Sequence, residues 1–266
     1  PEPALPATRE PYGVLVTGVG GTGIITLGAL IGMAAHIDGK GVTVIDMTGL
    51  AQKGGAVTSH VRICDTADLL HAARIATGEA DAVIGGDAIV TASADALSRM
   101  AAGRTRVAVN CAVSPTADFI HNPDWQFPLA EIRRVVSEAV EGSSAASFVD
   151  ATGLAGRLLG DAIVANLFLL GYAWQRGMLP VSREAIQKAL ELNGAAVDIN
   201  LRAFLWGRRA AHDQAAVERF ANPEPAAAPA SMAASSSSVK PARRRASRLN
   251  GPRNTGAAYC TASAAL

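Results

Sequence analysis

The chain has 266 residues, 49% of them hydrophobic and 18% charged, with a formal net charge of +1. That is enough apolar material for one core of ordinary size. Six Lys/Arg against Glu224 alone put +5 after Asn222 and leave −4 on residues 1–221, and a mildly acidic body gives no reason to expect a nucleic-acid surface.

In chain order, residues 1–11 hold four prolines and no periodicity, and read as a linker. "GVLVT" (13–17) reads as a buried strand, "GTGIITLGALIGMAAHI" (21–37) as a helix and "VTVID" (42–46) as a second strand. In "VTSHVRI", Val57, Ser59, Val61 and Ile63 alternate with Thr58, His60 and Arg62, the period of a half-buried strand with one polar face. "DAVIG" (81–85) and "RVAVN" (106–110) are two more strands around the helical "ASADALSRMAA", and "SFVDA" (147–151) is a sixth. Strands alternating with helices predict an α/β fold, a Rossmann-like three-layer domain with a mostly parallel sheet.

From Gly153 the pattern turns helical, giving a helical C-terminal segment: "GDAIVANLFLLGYAWQRG", then "SREAIQKALELNG" opened by Ser182 and closed by Gly194, then "AAVDINLRAFLWGRRAA". Residues 214–266 read as the helix end followed by a disordered tail rich in Ala, Ser, Pro and Arg, which lacks the apolar content to order itself.

Cys64, Cys111 and Cys260 lie far apart and form no CxxC, so the spacing supports neither an iron–sulfur nor a zinc site. No metal ligation is expected. An odd, low cysteine count and no leader pattern point to the cytoplasm. The apolar run "AIVANLFLLGYAW" is too short to span a bilayer, so no membrane association is expected.

Gly18, Gly20 and Gly23 fit G-x-G-x-x-G between a strand and a helix. Missing Cβ atoms let such a turn be tight and aim backbone amides at an anion beside a helix N-terminus. Asp46 ends the second strand, where an acidic residue would bind a ribose hydroxyl. These features fit a stand-alone NAD(P)-binding oxidoreductase, or glycines that only pack. "DMTGLAQKGGAVTSHVRI" is unlike an ordinary dinucleotide-binding unit. A polar loop with Gln52, Lys53, Gly54 and Gly55 stands where a helix normally follows, and Lys53 could reach a phosphate or a facing subunit.

Taken together, "GVLVTGVGGTGIITLGALIGMAAHIDGKGVTVIDMTGLAQKGGAVTSHVRI", "ATGEADAVIGGD", "GDAIVANLFLLGYAWQRGMLP" and "ALELNGAAVDINLRAFLWGRR" closely resemble the gamma domain of 2-oxoacid:ferredoxin oxidoreductases. The likeness is greatest to the fused indolepyruvate type and covers roughly residues 12–213. It implies a module of an enzyme that oxidatively decarboxylates an aryl 2-oxoacid to an acyl-coenzyme A while reducing ferredoxin. Thiamine diphosphate with Mg2+ and iron–sulfur clusters would belong to partner domains or subunits, and ferredoxin would meet this chain only through the complex.

The chain offers one near miss to a thiamine motif, "GGDA" at 85–88 with Asn110, but Ala88 and Cys111 stand where Gly and Asn are needed. Asp87 is better placed to cap the next helix. No catalytic residue is assigned. The resemblance implies that the module helps form the active-site or coenzyme A cavity, with Gly18, Gly20, Gly21, Thr22, Gly23, Gln52, Lys53, Gly54 and Gly55 near an anionic group of cofactor or coenzyme A. A non-catalytic assembly subunit is the remaining alternative. Of the other polar residues, His60 and Arg62 are expected to be structural, and Asn166 to bond backbone.

Overall fold

A computed structural model describes residues 1–49, 55–112, 127–142 and 144–223. Six strands form one sheet: β1 (Tyr12–Val19), β2 (Gly41–Thr48), β3 (Ala56–Cys64), β4 (Ala82–Gly85), β5 (Arg106–Asn110) and β6 (Ala146–Val149). Their order is β2-β3-β1-β4-β5-β6. β1, β4, β5 and β6 pair in parallel, whereas β3 runs antiparallel to both β1 and β2. Five strands therefore share one direction, so the sheet is mostly parallel as expected, with one reversed strand inserted beside β1.

Alternation along the strands separates two cores. Val14, Val16, Ala82, Ile84 and Ala108 face one side. There they meet α1 (Ile24–Ile37), α5 (Ala151–Leu159), α6 (Ala165–Gln175), α7 (Arg183–Asn193) and α8 (Val197–His212). Leu15, Val83, Val107 and Val109 face the other side, where α2 (Ala88–Thr91), α3 (Ala94–Arg99) and α4 (Leu129–Ala139) supply Ala88, Ala96, Ile132 and Val136. A last helix, α9 (Gln214–Ala221), packs on α8. Helices on both faces of one sheet make the predicted three layers.

Local chemistry sets the boundaries. Ser182 Oγ accepts the Ala185 amide at the start of α7, and Gly194 closes that helix at φ 70°. Such a left-handed cap costs glycine nothing. Asp87 Oδ1 accepts the Val90 amide at 2.9 Å, so it caps α2 as expected. Asn166 does bond backbone, through Nδ2 to the Thr22 carbonyl.

The polar face expected of β3 is corrected by the structure. Of Thr58, His60 and Arg62 on that face, Thr58 is buried and His60 has no exposure, because the stretch after β3 crosses over the face bearing His60. Ile75 in that stretch donates its amide to His60 Nδ1 at 3.3 Å, and Arg62 reaches the Arg74 carbonyl. Both residues are thus hydrogen-bonded to the stretch that follows β3.

Candidate functional site

In an open α/β sheet, ligands bind at the carboxyl ends of strands, where successive helices leave to opposite faces. Here that point lies between β1 and β4. α1 departs toward one core and α2 toward the other.

The crevice is held by short-range polar bonds. Gly86 donates its amide to the Thr17 carbonyl at 2.7 Å, and the Thr17 and Thr91 hydroxyls share a buried bond of 2.8 Å. Asn110, 7% exposed at the end of β5, bonds through Nδ2 to the Gly86 carbonyl and to Thr152 Oγ1. Its Oδ1 accepts the Ala151 amide at 3.0 Å. Asn166 ties the start of α6 to the turn before α1. One buried asparagine thus locks β4 to β5 and α5, and a second locks the glycine turn, which makes the rim rigid.

The glycines divide into distinct roles. Gly18 lies within β1, paired with Val57, and a Cβ there would sit 2.5 Å from Ile24 Cδ1. It serves packing. Gly20 donates its amide to the Gly55 carbonyl at 2.9 Å, joining the turn to the start of β3. The Thr22 amide and hydroxyl both go to the Val19 carbonyl. Gly21 and Gly23 have φ of 84° and 85°, so the turn requires glycine-like conformations there.

Gly23 is the N-cap of α1, and no side chain caps that helix. Among the described residues, the backbone amides of Gly21, Gly23, Ile25 and Thr26, all exposed residues, have no acceptor. A helix N-terminus with outward amides and partial positive charge suits an anion. Of the residues singled out in the sequence, the structure brings Gly20, Gly21, Thr22, Gly23 and Gly55 together. Gln52, Lys53 and Gly54 lie outside the described residues.

Asp46 does not join the turn. It is exposed on the edge strand β2, and β3 separates that strand from β1. With strands spaced ~4.8 Å, the end of β2 lies ~10 Å from β1, twice the offset of a dinucleotide-binding unit. The near-miss thiamine residues are close in space, but Asp87 is spent on α2 and Asn110 on the crevice.

Among the described residues no three His, Cys, Asp or Glu side chains could hold a metal ion. Cys64 is buried with its thiol toward the Thr8 carbonyl, and burial raises the Cys111 thiol pKa even though Arg133 opposes it. Neither a cluster nor a thiamine-bound cation fits these residues. Sequence reasoning missed Gly86 and Thr152. The available signal was a polar residue, Asn110, closing an otherwise apolar strand.

The family model described as pyruvate ferredoxin/flavodoxin oxidoreductase matches residues 13–210. Indolepyruvate oxidoreductase subunit IorB of Methanothermobacter thermautotrophicus is 30% identical over 202 residues, 75% of this chain and 97% of the relative. The protein of the same name from Pyrococcus horikoshii is 30% identical over 204 residues, 76% and 96% of the two chains. The gamma subunit of a keto/oxoacid ferredoxin oxidoreductase from Geobacter sulfurreducens superposes with a TM-score of 0.53 at 25% identity, covering 76% of this chain and 98% of that one. A 2-oxoglutarate:ferredoxin oxidoreductase from Magnetococcus marinus shares the fold alone (TM-score 0.55, 17% identity), over 77% of this chain and 31% of that one. No helix among the described residues is long and apolar enough to cross a membrane.

Proposed function

The chain belongs to the pyruvate ferredoxin/flavodoxin oxidoreductase family, and we propose that it is the gamma module of an indolepyruvate-type 2-oxoacid:ferredoxin oxidoreductase. The similarity to IorB subunits over nearly their whole length carries this reading, and those relatives are subunits of a larger enzyme. The module spans residues 12–213. The assembled enzyme would convert an aryl 2-oxoacid to its acyl-coenzyme A and pass the electrons to ferredoxin. Thiamine diphosphate, Mg2+ and iron–sulfur clusters would be held by the partner, since among the described residues no ligand set fits them.

What this chain contributes is an anion-binding rim. The amides of Gly21, Gly23, Ile25 and Thr26 at the uncapped end of α1 would face a phosphate of coenzyme A or the cofactor diphosphate. Thr22 shapes the turn through Val19, Gly20 and Gly55 hold it to β3, and Gly18 seats Ile24 beneath it. Gln52, Lys53 and Gly54 lie in sequence between Gly49 and Gly55, whose carbonyl holds the Gly20 amide, so Lys53 would add a full charge to the rim.

Reconstitution with the thiamine- and cluster-bearing subunit tests the reading. Arylpyruvate-dependent, coenzyme A-dependent viologen reduction should require both chains. Lys53→Ala should raise the apparent KM for coenzyme A roughly tenfold, the worth of one charge-assisted contact, with kcat little changed. Turnover by either chain alone would overturn the assignment, and unchanged kinetics would remove Lys53 from the rim.

A further inference from the structure

On the face of α8 turned away from the sheet, Leu205 is 53% exposed and sits with Trp206 between Arg202 and Arg209. These four residues line a depression of about 180 Å³. Phe220 from α9 stacks on Trp206 at 5.2 Å and is itself 67% exposed. A second depression of about 240 Å³ shares Leu205 and Arg209 and adds Arg208 and His212. The surface combines an apolar floor with cations at its margins.

The cations are available. Among the described residues neither Arg202 nor Arg209 forms an ion pair, and Arg209 lies over the Trp206 ring at 5.4 Å. The acids on the neighbouring elements make contacts of their own, and neither Arg202 nor Arg209 is among them. Asp213 caps α9 through the Ala216 amide, Glu218 accepts from Gln214, and Glu2 and Glu184 pair with Arg183. Asp198, in the first turn of α8, lies four residues before Arg202. On a body carrying −4 over residues 1–221, Arg202, Arg208 and Arg209 place three cations within eight residues of one helix.

We infer that this face of α8 docks an acidic amphipathic segment of the partner subunit that carries the thiamine and cluster sites, an inference that rests on the gamma-module reading above. Charge excludes the other occupants. The segment of this chain after Asn222 follows directly on α9 but carries +5. A second copy packed about a two-fold axis would set arginine against arginine. A segment presenting carboxylates beside a Leu- or Phe-rich stripe satisfies both the guanidinium groups and the apolar floor. Arginine and tryptophan of this kind dominate the energetics of interfaces.

The test uses the full chain and its co-purified partner. Binding is measured at 50 and 300 mM salt for wild type, the double variant Arg202→Glu/Arg209→Glu and the charge-keeping Arg202→Lys/Arg209→Lys. Charge reversal should weaken association at least tenfold at 50 mM and flatten the salt dependence, while the lysine pair stays within about threefold of wild type. Equal binding by wild type and the glutamate variant, with the rim at α1 still sensitive to substitution, would overturn this inference and leave the gamma-module reading standing. No association by wild type at either salt would overturn both.

Discussion

Gly21 is the position where the anion rim can be tested without disturbing packing. It is exposed, sits at φ 84°, and a Cβ added there meets nothing within 4 Å. Asn and Asp both tolerate the left-handed region, so they differ mainly in charge. In the reconstituted enzyme Gly21→Asp should raise the apparent KM for coenzyme A about tenfold through repulsion at the helix end, whereas Gly21→Asn should stay within about threefold. Equal effects from both would mean that the turn's shape, and not its charge preference, matters. His60 carries a different kind of prediction. Burial, reinforced by Arg74 and Arg99 and opposed by Asp95, pulls its pKa down to about 4 from 6.5. The unfolded chain therefore binds a proton below pH 6.5 that the folded chain refuses until near pH 4. Stability conferred by neutral His60 is complete above pH 6.5 and drains as pH falls through that window, by about 2.5 kcal/mol at pH 4.5. Urea midpoints of wild type and His60→Gln, compared between pH 7.5 and 4.5, check this: the wild type should lose that much more than the variant.

The helices show why some features were legible and others were not. Ser182, Gly194 and Asp87 could be read from sequence because capping is decided within three or four residues. The burial of His60 could not, since its cover comes from a crossing stretch without periodicity. Gly171 reads in the sequence as an interruption of an apolar run, but in the fold it is a contact point. A Cβ on Gly171 would lie 2.0 Å from the Phe204 carbonyl oxygen, and one on Gly207 would lie 1.8 Å from that of Phe168. α6 and α8 thus touch backbone to backbone, and Gly207→Ala should cost about 3 kcal/mol by forcing them apart. Gly156 on α5 has nothing within 4 Å of an added Cβ. Gly156→Ala should instead stabilise by about 0.5–1 kcal/mol through helix propensity. Opposite shifts in urea midpoint for these two alanines are the expected result. No loss at Gly207→Ala would show that the α6–α8 crossing is not tight.

At the scale of the whole molecule, what the sequence withheld was strand order. All six strands were visible as local apolar runs, and the G-x-G-x-x-G spacing after β1 is genuine. The strand on which Asp46 lies pairs with β3 and not with β1, and nothing in the spacing of residues announces that insertion. It separates the two halves of a dinucleotide signature: the turn that would hold a pyrophosphate and the carboxylate that would hold a ribose. On the reading proposed above the turn would keep only its capacity for a phosphate-like anion, while Asn110 and Asn166 brace the rim behind it through the Gly86 and Thr22 carbonyls. The isolated chain should accordingly show no saturable NADH or NADPH binding up to about 1 mM by fluorescence titration, a ceiling of roughly −4 kcal/mol. The same chain should gain coenzyme A affinity once its partner is added. Micromolar nicotinamide binding by the chain alone would mean that Asp46 reaches the turn after all, and that β3 does not lie between them.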